Sequence, residues 1–208
     1  MDVITKRNDL LAATVIKGLE SRNMCGYYAK NKEEALAKAL ELIPEKSKVT
    51  KGGSMSVAAI GLADAMRNGD YDFSDRDNMQ VKRPAELFAF DADVYLASAN
   101  AITQDGILVN IDAVSNRVAA IAYGPKKVVL IVGLNKVTPD VDSAMKRARN
   151  TAAPINAGRF GGNTPCAFTG TCNDCKSPDT ICCNFLITRY SKFKDRIHVI
   201  LVDDNLGF

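Results

Sequence analysis

The most constraining feature of this 208-residue chain is a cluster of cysteines close to its carboxyl end. Five of the six cysteines fall within residues 166–183, in the spacing C-x5-C-x2-C-x6-C with Cys183 left over. Glycine, proline, asparagine and aspartate surround them, which is a composition typical of turns. Such a segment buries too little apolar surface to become ordered by packing alone. We therefore expect a metal to order it, and the four predicted thiolate ligands are Cys166, Cys172, Cys175 and Cys182, with Cys183 as the alternative to Cys182.

Two kinds of metal site are compatible with four thiolates. A structural zinc site usually draws its ligands from two C-x2-C knuckles, and here only Cys172 and Cys175 form one. Iron–sulfur clusters tolerate more varied spacing, although the C-x2-C-x2-C run of bacterial ferredoxins is absent. We expect an iron–sulfur cluster as the cofactor, with zinc as the alternative and with disulfides or free thiols as the plainer interpretation. Disulfides are disfavoured because residues 1–11 mix charged and apolar side chains and do not resemble an export signal.

Composition and charge narrow the class of protein. A hydrophobic content of 47% and a charged content of 25% are ordinary for a globular protein, and the length suits one domain over residues 1–208, with a cysteine-rich segment at 160–184. The net charge of +3 comes from scattered residues, which argues against nucleic acid as a partner. No apolar run reaches the roughly 18 residues that a membrane span needs, so we expect a cytoplasmic protein.

The strand and helix pattern places two candidate ligand-binding regions. Residues 127–132 form a continuous apolar run typical of a central strand buried on both faces, and Lys136 follows its carboxyl end, where ligands bind in open α/β sheets. Earlier, a strand at 48–50 leads through Gly52, Gly53 and Ser54 into a helical pattern at 57–66. This arrangement predicts either an anion-binding turn or a plain tight connection.

A third region, residues 100–117, is rich in amides and charges. Asp105-Gly106 is a strong turn signal between two apolar runs, so some of these polar residues are turn formers. Other polar residues of this region are candidates for binding a ligand. The only histidine, His198, sits in a strand pattern and assembles no catalytic triad. The candidates in this region are Asn100, Asp105, Asn110, Asp112, Asn116 and Arg117.

Three blocks carry a resemblance to a known family. They are SANAITQDGILVNIDAVSNRVAAIAYGPKKVVLIVGLNKV, the TPC…GTCNDCKSPDTICCN block and the ending RIHVILVDDNLGF. Over nearly the whole chain the sequence resembles the lactate-utilisation (LUD) domain family, in its short, cysteine-bearing branch. The resemblance implies an α/β fold of the sugar-phosphate isomerase and CoA-transferase type: an open, mostly parallel central sheet flanked by helices, with a cysteine-rich C-terminal appendage.

The resemblance also carries expectations about function. Members of the family are associated with oxidation of lactate to pyruvate alongside iron–sulfur partner proteins. It implies that the turn at 52–56 and the loop at 105–110 line one cleft. Isomerase relatives often carry aspartate where this chain has Asn100, and an amide cannot accept a proton as a base does.

Two function hypotheses follow. The first is a subunit or accessory of lactate oxidation that carries an iron–sulfur cluster; no flavin motif is visible, so any flavin would come from a partner protein. The second is an isomerase-like or transferase-like enzyme or sensor that binds a phosphorylated or carboxylated small metabolite, with Asp105 or Asp112 as the base and a structural zinc site. A non-catalytic scaffold and an oligomer are both compatible with the sequence.

Overall fold

The computed structural model describes residues 2–208, so Met1, which belongs to the predicted domain, lies outside the description. The described chain contains nine α-helices and ten strands, and a π-helical turn at Ala148–Ala152. The helices are α1 (Val3–Ser21), α2 (Lys32–Leu42), α3 (Met55–Ala59), α4 (Leu62–Asn68), α5 (Arg83–Phe88), α6 (Asn116–Ala122), α7 (Val141–Arg147), α8 (Ala153–Phe160) and α9 (Pro165–Thr169). The strands are β1 (Cys25–Ala29), β2 (Lys48–Lys51), β3 (Asp72–Ser74), β4 (Val94–Ala97), β5 (Ala101–Thr103), β6 (Leu108–Asp112), β7 (Lys127–Gly133), β8 (Val137–Thr138), β9 (Asn184–Thr188) and β10 (Ile197–Val202).

A six-stranded parallel sheet forms the centre of the fold, in the order β1-β10-β7-β4-β2-β3. The predicted central strand is confirmed, since β7 lies between β10 and β4 and is buried along Val128–Gly133. Its side chains alternate between two cores. Leu130 packs with Leu19 of α1 on one face, and Ile131 packs with Ala35 of α2 on the other. The expected α/β sheet flanked by helices is therefore what the structure contains.

A smaller mixed sheet, in the order β8-β5-β6-β9, packs beside the first and was not predicted. The hairpin between β5 and β6 is antiparallel and turns at Asp105-Gly106, as the sequence indicates. Helix α7 and the π-helical turn cover one face of this sheet, where Ala144 and Ala148 pack against Ala101 and Val109. This sheet brings Asn100 and Asp112, which lie at the ends of the hairpin strands, to the carboxyl ends of the parallel strands.

One predicted helix differs from what is observed. The pattern at 57–66 predicted one helix, but the chain forms α3 and α4, separated at Ile60 and Gly61. Farther along the chain, α7 continues through the π-helical turn into α8, which ends at Phe160. Among residues 2–208, no helix has both the length and the apolar character needed to cross a bilayer.

Candidate functional site

A cleft lies at the carboxyl ends of the parallel strands, where open α/β sheets bind ligands. The loops that follow β2, β4, β7 and β10 all reach it, because parallel strands end at the same edge of the sheet. The cleft has two parts, with volumes of about 50 Å³ and about 180 Å³, which share Gly53, Arg117 and Asn156 as lining residues. The smaller part is also lined by Ser56, Ser98, Asn100, Lys136 and the carboxyl-terminal pair Gly207 and Phe208.

Lys136 is the most unusual group in the cleft. Only 3% of its surface is exposed, and its amine donates hydrogen bonds to the hydroxyls of Ser98 at 3.0 Å and Ser56 at 3.2 Å. Burial, followed by the nearby charges of Arg147 and Arg117, lowers the pKa of Lys136 to about 7. The amine therefore lies among hydroxyls and other cations, and its charged form is destabilised at neutral pH.

Arg117 brings a second positive charge to both parts of the cleft. Its guanidinium donates to Asn100 Oδ1 at 3.2 Å and to the carbonyl of Ile111, and lies 3.6 Å from Asp112 Oδ2. Asn100 Oδ1 also accepts a hydrogen bond from the Ile111 amide at 2.9 Å. The predicted ligand residues Asn100 and Arg117 are thus brought together, and the amide of Asn100 holds the guanidinium in place.

Asp112, a candidate base, is engaged with the start of α6. Its Oδ2 accepts from the backbone amides of Arg117 and Val118, both at 3.0 Å, and its Oδ1 accepts from the Ala113 amide at 2.9 Å. Oδ2 therefore caps the first turn of α6, while Oδ1 holds the loop that precedes the helix. Asp112 lines the larger part of the cleft but has the geometry of a structural carboxylate.

Asp105, the other candidate base, lies away from the cleft. Its carboxylate pairs with Arg22, the residue that follows α1, and accepts from the Thr103 hydroxyl. That hydroxyl is the first cause, ahead of Arg22, of a pKa for Asp105 below the ordinary range. The expected meeting of the 105–110 loop with the glycine turn is not observed, because the loop packs on α1 instead. Asp105 thus fastens the hairpin turn to the first helix.

The glycine turn reaches the cleft through two of its three predicted residues. Gly53 lines both parts and Ser54 lines the smaller one, while Gly52 is absent from the lining and donates its amide to Leu96 at 3.0 Å. The Ser54 hydroxyl accepts from the Val57 amide at 3.3 Å and caps α3. This turn therefore both starts a helix and forms one wall of the cleft.

Asn116 and Asn110 have different environments. Asn116 lines the larger part of the cleft and donates to Glu86 Oε1 at 2.8 Å. Asn110 is fully buried in β6, and neither of its side-chain polar atoms has a hydrogen-bond partner within the described residues. It belongs to neither part of the cleft lining.

The four predicted metal-binding cysteines line one cavity of about 100 Å³, which we call the cysteine pocket. Cys183 lies outside its lining, is exposed, and donates from its thiol to the Thr180 carbonyl at 3.7 Å. Within residues 2–208, no group of three or more histidine, cysteine or carboxylate side chains is set so that it could hold a metal ion. The lining thiols belong to Cys166, Cys172, Cys175 and Cys182.

Electrostatics in the cysteine pocket oppose ionisation of the Cys182 thiol. Burial, followed by repulsion from Cys166, Cys172 and Cys175, raises the pKa of Cys182 to about 11. The influence of three other sulfurs on Cys182 agrees with their positions around the same cavity. A cation placed among them would reverse this shift, because thiolates are favoured by nearby positive charge. Cysteine sulfur is a soft donor, so the residue type that lines this pocket is one that soft metals prefer.

One helical segment forms a wall common to the cleft and the cysteine pocket. Arg149 and Ala153 face the pocket, whereas Ala152 and Asn156 face the cleft. The π-helical turn at 148–152 lies within this wall, and such turns are frequent at functional sites. Ile181 lines both the pocket and the larger part of the cleft. The two sites therefore adjoin.

Sequence reasoning did not name Ser98, Asn156, Gly207 or Phe208 as contributors to the cleft. Ser98 directly follows β4, so its position at a strand's carboxyl end was a usable signal. Asn156 lies on α8 and carries no such signal, whereas Ser56 belongs to the turn at 52–56 that was expected to line a cleft. The carboxyl-terminal pair reaches the cleft only because the chain after β10 folds back over it, which the sequence pattern does not indicate.

Comparisons with known proteins agree with this architecture. A family model described as the LUD domain matches residues 12–202. A crystal structure of a DUF162 family protein from Deinococcus radiodurans aligns with a TM-score of 0.54, covering 93% of this chain and 97% of that one at 12% sequence identity. At this identity the likeness shows the fold alone. No curated protein matches the chain.

Proposed function

Because the chain belongs to the LUD domain family, we propose that it is a lactate-utilisation-type protein, a subunit or accessory in the oxidation of lactate to pyruvate. In this proposal the cleft binds a small carboxylate, and Cys166, Cys172, Cys175 and Cys182 hold an iron–sulfur cluster. When bound, such a cluster supplies one-electron transfer.

The observation that carries the proposal is the gathering of four thiols around one pocket beside a cationic cleft. Thiolates are the usual ligands of iron–sulfur clusters. The four thiols line one shared cavity. Cys182 rather than Cys183 supplies the fourth ligand in this proposal.

Charge in the cleft supports an anionic ligand. Arg117 and Arg147 both act on the buried amine of Lys136. The nearest counter-charge to Arg117 is Asp112, 3.6 Å away. An anion in the smaller part of the cleft would offset this excess of positive charge. Lactate and pyruvate each carry one negative carboxylate and are small enough for the smaller part of the cleft.

Coupled electron transfer tests the redox role. The anaerobically purified protein is supplied with lactate, iron–sulfur and flavin partner proteins and an artificial electron acceptor, and acceptor reduction is followed. We expect reduction with the wild type and its loss in Cys175→Ser, with Cys183→Ser retaining it. Equal rates for all three proteins would contradict a role for the cysteine pocket in the reaction.

A second candidate function draws support from the glycine turn. Gly53 and Ser54 border the same cationic cavity, which also suits a phosphorylated metabolite of an isomerase-like or transferase-like enzyme or sensor, with structural zinc at the cysteines. Ligand-dependent stabilisation separates the two, since a ligand that binds the folded state raises its melting temperature. Stabilisation by lactate or pyruvate supports the first function, and stabilisation only by a sugar phosphate or CoA supports the second.

A further inference from the structure

We propose that the amine of Lys136 forms an imine with the carbonyl carbon of a small 2-oxo acid bound in the smaller part of the cleft. This deepens the proposed function, since it rests on the same cleft binding a small carboxylate. It does not depend on the cysteine pocket. The proposal makes Lys136 a catalytic residue rather than a fixed charge.

Hydrogen bonding around Lys136 directs its lone pair. The Ser56 hydroxyl donates to the Leu206 carbonyl at 3.2 Å, and the Ser98 hydroxyl donates to the Ala99 carbonyl at 3.3 Å. Both hydroxyl protons are used in these hydrogen bonds to carbonyls, so each serine oxygen acts as the acceptor of a hydrogen bond from the Lys136 amine. A neutral amine has two N–H bonds and one lone pair. With both N–H bonds given to the serines, the lone pair is left for an electrophile.

The same arrangement argues against a serine nucleophile. A lysine that activated a serine would have to accept the hydroxyl proton, whereas both hydroxyls here point to backbone carbonyls. The serines therefore act as positioning residues for the amine. Lys136 lines the cavity itself, so a bound carbonyl can reach it.

The charge environment keeps the amine reactive at neutral pH. Its near neighbours are hydroxyls, and the charges acting on it are the guanidiniums of Arg147 and Arg117. With a pKa of about 7, roughly half of the amine is unprotonated at neutral pH, compared with less than about a thousandth for an ordinary lysine. Arg117 is placed to bind the carboxylate of the 2-oxo acid, which brings its carbonyl to the amine.

Imine formation needs no reactant other than the Lys136 amine and the 2-oxo acid. The nitrogen lone pair of Lys136 attacks the carbonyl carbon, and the carbonyl π electrons move to its oxygen. A proton passes from nitrogen to that oxygen, giving a carbinolamine. Loss of the hydroxyl group together with the remaining N–H proton, as one water, leaves the C=N bond. Nothing is oxidised or reduced.

Reductive trapping tests the proposal. The full-length, anaerobically purified protein is incubated with pyruvate and cyanoborohydride near pH 7, and the carboxyethylated lysine is located by peptide mass mapping. We expect modification at Lys136 at least about tenfold faster than at the exposed Lys126, as its neutral fraction requires. Mapping in the wild type keeps the test independent of whether a variant folds.

Two comparisons sharpen the test. Lys136→Met should remove the rapid modification, and Lys126→Met should retain it. Acetone, which has a carbonyl but no carboxylate, should modify Lys136 at least about tenfold more slowly than pyruvate. Label spread evenly over exposed lysines, or equal reaction with acetone, would overturn the proposal. Iron content is measured on the same preparation, so trapping without iron would contradict only the cluster, and iron without trapping only the imine.

Discussion

Arg149 donates a hydrogen bond from Nη2 to the sulfur of Cys172 across 3.5 Å, and the same guanidinium pairs with Asp174. This contact joins the helical wall of the cleft to the cysteine pocket. It also places a cation that favours the thiolate form of Cys182 at the wall of the cysteine pocket. Arg149 is therefore the protein group best placed to tune a metal centre in this pocket.

Replacing Arg149 should change the redox potential of the proposed cluster. Hydrogen bonds and positive charge near the sulfurs stabilise the reduced, more negative state. We expect Arg149→Gln to lower the midpoint potential by an amount on the order of tens of mV, measured by redox titration. Arg83→Gln, at an exposed residue of α5, is the matched control and should leave the potential unchanged. An unshifted potential in Arg149→Gln would refute this role.

Lys136 should make the stability of the protein depend on pH. Its folded-state pKa of about 7 lies below its ordinary value of 10.5, so between these values the unfolded chain binds a proton that the folded chain does not. The free energy of unfolding contributed by this group therefore rises with pH across that window. Below about pH 7 the cost of burying the charged amine is at its greatest.

Urea denaturation of the wild type and Lys136→Met checks this sign. The variant should be more stable below about pH 7, by an amount on the order of a few kcal/mol, because it has no amine to desolvate. Its advantage should shrink as the pH rises from about 7 to about 10. A difference that stays constant over this range would mean that the amine titrates alike in both states.

Asp112 should behave as a helix cap rather than a base. Asp112→Ala removes the acceptors for the amides of Arg117 and Val118, and should lower the free energy of unfolding by about 1 kcal/mol. Asp112→Asn keeps one acceptor oxygen and should lose less than half as much. Both are measured by denaturation, with pyruvate trapping as a second readout. Normal stability combined with abolished trapping in Asp112→Asn would instead assign it to proton transfer.

Gly207 should be required for the tail that covers Lys136. Its φ is +60°, and an added Cβ would lie 2.8 Å from Ser56 Oγ and 3.3 Å from Lys136 Nζ. Gly161 is the matched control, because its φ is +65° but an added Cβ meets nothing within 4 Å. Each alanine variant carries a backbone cost of about 1 kcal/mol. Only Gly207→Ala should also lose pyruvate trapping at Lys136; equal trapping in both variants would contradict this role.

The sheet was predictable because its strands are marked locally. The apolar run of β7 can be satisfied only by burial on both faces, and its carboxyl end pointed to Lys136. The environment of Lys136 was not predictable, since Ser56 and Ser98 come from loops and helices that meet only in the folded chain. Local sequence also cannot tell a turn residue from a ligand. Asp105 has the residue type of a base but holds a hairpin to α1.

The choice between Cys182 and Cys183 also could not be made from the local sequence. The spacing predicted which segment holds the thiols, but Cys182 and Cys183 are adjacent, and their sequence contexts do not separate them. Their environments do, since Cys182 lines the pocket with three other cysteines while Cys183 is exposed. Backbone direction at Ile181–Asn184, which depends on the pairing of β9 with β6, decides between them.

The central claim is that four thiols bind an iron–sulfur cluster, and metal and sulfide analysis of the anaerobically purified protein tests it most directly. We predict iron and acid-labile sulfide in near-equal amounts, with an absorption band at about 400 nm. Most of both should be lost in Cys182→Ser and retained in Cys183→Ser. The account would be contradicted by wild-type protein that contains no iron or sulfide. In that protein either all six cysteines would titrate as free thiols, or zinc would be bound instead of iron.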